Sequence, residues 1–152
     1  MRYFLDCEYN GFGGELISIA LVPEEAGDEE FYAVLASATP HNDWVAQNVT
    51  PYLDHVPEGL KGSPLDREQA AILLAAWLTG LPRVEIVADW PEDIALFCRL
   101  ITVGPGQMVP MPRLSFTLAS LPGFSTAANS AVPHNALHDA RALRDHMLEV
   151  EA

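Results

Sequence analysis

Three groups of acidic and imidazole side chains stand out by type and spacing. Asp6 and Glu8 lie at i and i+2 in Tyr3-Phe4-Leu5-Asp6-Cys7-Glu8. That stretch reads as a buried strand, so both carboxylates project from one face at its C-terminal end. Two like charges side by side are costly unless a cation joins them, and a hard divalent cation with oxygen ligands is the usual remedy. Asp89 and Asp93 fall in Ala88-Asp89-Trp90-Pro91-Glu92-Asp93, a strand-to-helix junction of the kind at which α/β sheets gather ligands. Acids there also cap helices and complement their dipoles, a role open to Asp89, Glu92 and Asp93 alike. The third group is His134-Asn135-Ala136-Leu137-His138-Asp139. Five positions span about 140° on a continuous helix, so His134 and Asp139 converge only if the helix starts after His134. Pro133, with Asn135 as N-cap, would start it there. His138 points nearly opposite the apolar stripe and is expected in solvent.

These groups need elements to position them. Tyr3–Glu8, Glu15–Val22 and Phe31–Ala36 read as strands, separated by the Asn10-Gly11-Phe12-Gly13-Gly14 turn and by Glu24–Glu30, whose five acids read as a solvated hairpin tip. Asn42 or Asp43 can cap a helix carrying Trp44, Val45, Val49, Tyr52 and Leu53. A loop from Pro57 to Pro64 leads to a helix opened by Ser63 or Asp66 and running to Leu78, apolar nearly all round and expected to be buried. Val84–Ala88 is a fourth strand, and Pro91 starts a helix to about Val103, broken by Gly104-Pro105-Gly106. Leu114–Leu121 fits either a strand or a short helix. Ala136, Ala140, Leu143 and Met147 repeat at i, i+4, i+7 and i+11, one face of a last helix. The order β-β-β-α-α-β-α-(β)-α implies an α/β fold: a mixed sheet, antiparallel at first and then built by crossovers, with helices on its faces.

Composition bounds the function. With 152 residues, 49 % of them apolar, the chain is one domain (1–152) with enough length for a real core. Eight Lys and Arg against 21 Asp and Glu give a formal charge of −13. That excludes the broad basic footprint of most nucleic-acid binders, and an anionic membrane surface as partner. It does not exclude a nuclease whose carboxylates hold cations. The longest apolar run, Ala70–Leu78, is nine residues, well short of the roughly 20 that a bilayer requires. Cys7 and Cys98 read as reduced thiols, as in a cytoplasmic protein.

Together the three groups resemble, in order and spacing, the three motifs of the DEDDh family of 3′-to-5′ exonucleases with a ribonuclease H-like fold. Asp6-Cys7-Glu8 corresponds to the first motif, Asp93 to the Asp of the second, and His134 with Asp139 to the third. Asp89 stands where the second motif often has Asn, and that motif's usual His-Asn-Ala start is absent. Asn135 occupies the position at which the tyrosine variant of the superfamily carries Tyr. The resemblance runs from residue 1 to about 147, and its two ends are similar to a small single-domain exoribonuclease branch.

The resemblance implies that Asp6, Glu8, Asp93 and Asp139 hold two Mg²⁺ or Mn²⁺ ions. One ion would activate water and the other would stabilise the leaving 3′ oxygen. It implies His134 as general base, imidazole being the side chain that changes protonation near neutral pH. It aligns Asn10, Gly11 and Phe12 with a binder for the terminal base. Phe12 would stack on that base or merely anchor its turn, and Trp90 carries the same ambiguity. Arg141 and Arg144 lie near Asp139 in the last helix, available to phosphate or simply to solvent. The expected partners are single-stranded RNA or DNA 3′ ends, and a homodimer would pool arginines from two chains. Two other readings stand beside an exoribonuclease: an inactive scaffold whose acidic surface docks basic partners, and an endonuclease of the same fold. The presence of His134 favours the exonuclease.

Overall fold

Alternation along the first strand decides the layering. The computed structural model describes all 152 residues. Its elements are β1 (Arg2–Tyr9), β2 (Leu16–Pro23), β3 (Phe31–Val34), α1 (Asp43–Asn48), α2 (Arg67–Leu78), β4 (Arg83–Ala88), α3 (Pro91–Ile101), β5 (Thr102–Gly104), β6 (Gln107–Met108), β7 (Arg113–Leu118), α4 (Thr126–Asn129) and α5 (Ala136–Glu151). Tyr3, Leu5 and Cys7 join Ile19, Leu21, Leu74, Phe97 and Leu100 in the larger core, under α2 and α3. Phe4, on the opposite face, packs with Val87 and Leu143, and Val22 packs with Leu137 and Ala140 under α5. Asp6 and Glu8 share the parity of Phe4, so β1 presents them on the α5 side.

The five-stranded sheet has the order β3-β2-β1-β4-β7. β1, β2 and β3 pair antiparallel, as short turns permit, and β4 joins β1 in parallel through the helical crossover. β7 continues the parallel half beside β4, so 113–118 is a strand. The sheet is mixed, with helices on both faces.

Several expectations are corrected. The helix after Asn42 stops at Asn48 instead of continuing to Leu53, and Thr50–Tyr52 forms a 3₁₀ turn containing Pro51. Pro51 has no N–H to extend the ladder, and its ring would meet the carbonyl four residues earlier. α2 is not buried all round. Ala70, Ala71, Leu74, Ala75 and Leu78 pack inward while Ile72 and Leu73 are exposed, because only one side of the helix faces the sheet. The third strand ends at Val34, and Leu35 bridges Leu65 instead. Gly104-Pro105-Gly106 does more than break a helix: it turns the β5–β6 hairpin. The Glu24–Glu30 turn is solvated only at its tip. Its ends are tied down, Glu24 to Arg2 at 2.6 Å and Glu30 to Arg141 at 2.5 Å. No helix is long and apolar enough to cross a membrane.

Candidate active site

β1 ends in a bulge. Glu8 stands opposite Ser18 but Tyr9 opposite Leu16, a register shift that re-aims the strand just where its two carboxylates emerge. The turn that follows is held to the start of α1. Asn10 accepts from the Asn42 N–H at 2.8 Å and donates to the Pro40 carbonyl at 3.1 Å. Gly11 sits at φ 77°, and a Cβ there would lie 2.8 Å from Asn42 Nδ2. Only glycine fits that position without displacing the helix cap. Phe12, beyond it, is 97 % exposed. It anchors nothing in its own turn, which removes that structural role for it.

β4 delivers Asp89 and α3 delivers Asp93. The N-cap of α3 is Trp90, with no side-chain cap bond, so Asp89 does not take up the capping role open to it. Its carboxylate instead lies with those of Asp6 and Asp93, one oxygen of each within 4.8 Å of the others. Asp93 is buried in the first turn of α3, and the Cys7 thiol points at its carbonyl. Trp90 is 55 % exposed at the cleft edge.

The last group depends on where α5 begins. Asn135 is fully buried and caps the helix, its Oδ1 accepting from the N–H groups of Leu137 and His138 while its Nδ2 donates to the Tyr52 carbonyl at 2.8 Å. His134 therefore lies outside the helix, at φ 62°, the one non-glycine residue in the left-handed region. Such a conformation costs on the order of 1–3 kcal/mol and persists where surrounding contacts impose it. Here the His134 N–H donates to Asp139 Oδ2 at 3.2 Å, and the imidazole meets the Trp44 ring edge-on at 4.9 Å. Ring nitrogen and carboxylate oxygens of His134, Glu8 and Asp139 fall within 4.8 Å of one another. His138 points away from this group but is not free in solvent: it is half-buried, with Nε2 2.8 Å from the His55 carbonyl oxygen.

The result is one cleft of about 690 Å³. Asp6, Glu8, Asp89, Asp93, Asp139 and His134 line it, with Phe12, Trp44 and Trp90 among its aromatic residues. Burial, reinforced by the neighbouring carboxylates, pushes the Glu8 and Asp93 carboxyls up to about 8 and Asp6 well above the usual range. Asp139 and Asp89 are raised as well, both chiefly by burial. Asp6 Oδ2 and Asp139 Oδ1 are buried without a hydrogen-bond partner. Crowded acids with orphaned oxygens are a set that divalent cations fit, since a cation satisfies those oxygens and removes the repulsion at once.

Neither basic residue of α5 faces this cleft freely. Arg141 is bound bidentately to Glu30, and Arg144 pairs with Asp145 at 2.8 Å. Two features of the site go beyond the sequence expectations. Trp44 reaches His134 across 90 positions of sequence, and the Phe124–Ala127 segment, leading into α4, closes one side. Ser125 carries a helix-start signal in its residue type; the Trp44 contact has no sequence signal.

No family model and no curated protein matches the chain. Among solved structures it is similar to Exonuclease X in complex with 5′ overhanging duplex DNA, with a TM-score of 0.57 at 16 % identity. The match covers 100 % of this chain and 94 % of that one. At that identity the likeness speaks for architecture, and the chain has the fold of an exonuclease.

Proposed function

We propose that the protein is a metal-dependent 3′-to-5′ exonuclease with a ribonuclease H-like domain, degrading single-stranded or overhanging ends, foremost of RNA, to nucleoside monophosphates. The observation that carries this reading is the convergence of Asp6, Glu8, Asp93, Asp139 and His134, from three separated stretches of chain, on one cleft at the strand ends. The neighbouring exonuclease's complex with overhanging DNA supports a nucleic-acid substrate. The free thiols of Cys7 and Cys98 fit the cytoplasmic location proposed with it.

Asp6, Glu8, Asp93 and Asp139 would hold two Mg²⁺ or Mn²⁺ ions, with Asp89 close enough to share that work. When bound, such ions make water a better nucleophile and neutralise charge developing on the leaving oxygen. The protein's own residues do the rest. His134 accepts the proton of the attacking water on an imidazole nitrogen as the new P–O bond forms and the bond to the 3′ oxygen breaks. Asp139 holds the His134 backbone in place, and Trp44 limits the tilt of the imidazole ring. Phe12 and Trp90 offer faces for the terminal bases, contacts worth roughly 1–3 kcal/mol each.

The test is incubation of 3′-labelled and 5′-labelled RNA and DNA with Mg²⁺ or Mn²⁺, with EDTA controls. Release of labelled monophosphate from the 3′ end, with 5′-labelled products shortening stepwise, is expected. Internal cleavage would indicate an endonuclease. Full activity in excess EDTA would overturn the metal dependence, and no hydrolysis at all would favour a binding scaffold.

A further inference from the structure

Only eight residues of this acidic chain are Lys or Arg. Four of them are neutralised: Arg2 by Glu24 and Glu151, Lys61 by Glu58, Arg141 by Glu30 and Arg144 by Asp145. The remaining four form two pairs. Arg83 and Arg113 stand opposite each other where β4 and β7 begin, at the end of the sheet away from the cleft. Arg67 and Arg99 are brought together across α2 and α3. Arg67 Nη2 donates to the carbonyls of Arg99 and Thr102, so it closes the C-terminal end of α3 and stays beside Arg99. Arg99 makes no ion pair.

These two arginines line a second groove, of about 340 Å³, with Gly13, Gly14 and Glu15 as part of its wall. Gly13 and Gly14 belong to the same turn whose Gly11 and Phe12 line the catalytic cleft. α3 connects the two sites as well, with Glu92 and Asp93 at the cleft and Leu96, Arg99 and Leu100 at the groove. From Asp93 to Arg99 the helix rises about 9 Å. A base-stacked strand, advancing roughly 3.4 Å per nucleotide along its axis, covers that in about three nucleotides. Glu15 is the groove's one carboxylate, and its Oε2 accepts from the Thr39 hydroxyl at 3.3 Å, while the nearby Ser37 hydroxyl donates to the Thr39 carbonyl at 2.5 Å. Two cations against one engaged carboxylate make this groove cationic in a molecule that is otherwise strongly anionic.

We propose that the Arg67–Arg99 groove binds backbone phosphates of the substrate strand, a few nucleotides upstream of the 3′ end held in the cleft. The assignment rests on the exonuclease reading and adds to it a site for the body of the strand. Arg99 is the contact that matters most, because Arg67 is partly spent on the end of α3. Its guanidinium recognises phosphate through charge and paired N–H donors, without base preference.

The test compares Arg99→Glu, Arg99→Gln and the charge-matched control Arg113→Glu. Hydrolysis of a dinucleotide and of a strand of about eight nucleotides is measured for each. Affinity for the longer strand is read by fluorescence anisotropy in Ca²⁺. Arg99→Glu is expected to weaken binding and kcat/KM for the longer strand by about tenfold and to flatten the log–log salt slope by about 0.7. Arg99→Gln should do the same in smaller degree. Dinucleotide hydrolysis should be unchanged in every variant, and Arg113→Glu should match wild type on both substrates. Equal losses on dinucleotide and longer strand would mean that Arg99 merely supports the fold, and would overturn the groove. So would identical behaviour of Arg99→Glu and Arg113→Glu while wild type degrades both substrates, an outcome that leaves the exonuclease reading standing. A wild type that neither binds nor degrades either strand overturns both.

Discussion

Asp6, Glu8, Asp89, Asp93 and Asp139 crowd into one cleft, and how they share the work is a question for single residues. Asp6 is buried with an unpartnered oxygen, so Asp6→Ala is expected to abolish hydrolysis while leaving the melting temperature of the metal-free protein unchanged or higher, because it removes repulsion. Activity retained in Asp6→Ala would remove it from the metal site. Asp93 and Asp89 each place a carboxylate oxygen within 4.8 Å of one on Asp6. Asp93 is the more deeply buried, so Asp93→Asn should be the more damaging change in a metal-titrated assay, and a worse loss in Asp89→Asn reverses the assignment. The two histidines divide more sharply. His134 shares the cleft with Glu8 and Asp139, whereas His138 meets the His55 carbonyl on the far side of the helix. His134→Ala should lower turnover by about 10²–10⁴-fold, the usual size of a lost acid–base group, with His138→Ala near wild type. Steady-state kinetics on a short oligonucleotide separates the two.

At the scale of the element, the start of α5 is what makes His134 available. Had the helix begun one turn earlier, His134 and Asp139 would face about 140° apart. Asn135 prevents this by capping the helix while tying it to the Tyr52 carbonyl. Asn135→Ala removes the cap and leaves that carbonyl without its donor, an expected cost of about 2 kcal/mol. Urea denaturation reads it as a lower midpoint at unchanged slope. Turnover should fall by more than stability alone accounts for, because His134 then loses its fixed place. A variant as active as wild type at saturating substrate would show that other contacts hold His134. The bulge at Glu8 and the Gly11 turn work in the same way: short irregularities re-aim side chains that a regular strand would present elsewhere.

Across the whole molecule, electrostatics sets how stability and binding depend on conditions. The site carboxyls titrate higher in the folded protein than in the unfolded chain, with Glu8 and Asp93 at about 8 against ordinary values of 4.5 and 3.8. For groups raised in this sense, stability is fully present below the unfolded values and is lost as pH rises through the folded ones. The metal-free protein should therefore melt progressively lower between about pH 4 and pH 8. Mg²⁺ or Mn²⁺ should restore more stability at pH 8 than at pH 5, because only the ionised carboxylates bind it. Melting curves in EDTA and in metal check this; a metal effect independent of pH would contradict it. Charge also limits the grip on substrate. With so few free arginines, two or three phosphate contacts are expected, hence a log–log salt slope of about −1.5 to −2 on single strands. A slope steeper than about −4, or processive digestion of long RNA, would reveal a basic track that the fold does not show.

Local chemistry makes much of this protein legible in the amino-acid sequence. β1 and the shared face of Asp6 and Glu8 follow from strand alternation, the start of α5 from Pro133 and the Asn135 cap, and the mixed sheet from the order of elements. These are short-range matters, settled by residues within a few positions of one another. Other features require the packed chain. Whether 113–118 is a strand depends on the free edge of β4 beside it, which no local pattern reports. The composition of α2 suits burial all round, yet Ile72 and Leu73 stay exposed because the sheet has only one side to offer it. Asp89 has the residue type of a helix cap, whereas folding sets it beside Asp6 and Asp93. Trp44 against His134, and Arg67 beside Arg99, join residues far apart in sequence. Charge and residue type are properties of the chain, but which charges are neutralised, and which remain free to meet a substrate, is decided by distance in the folded molecule.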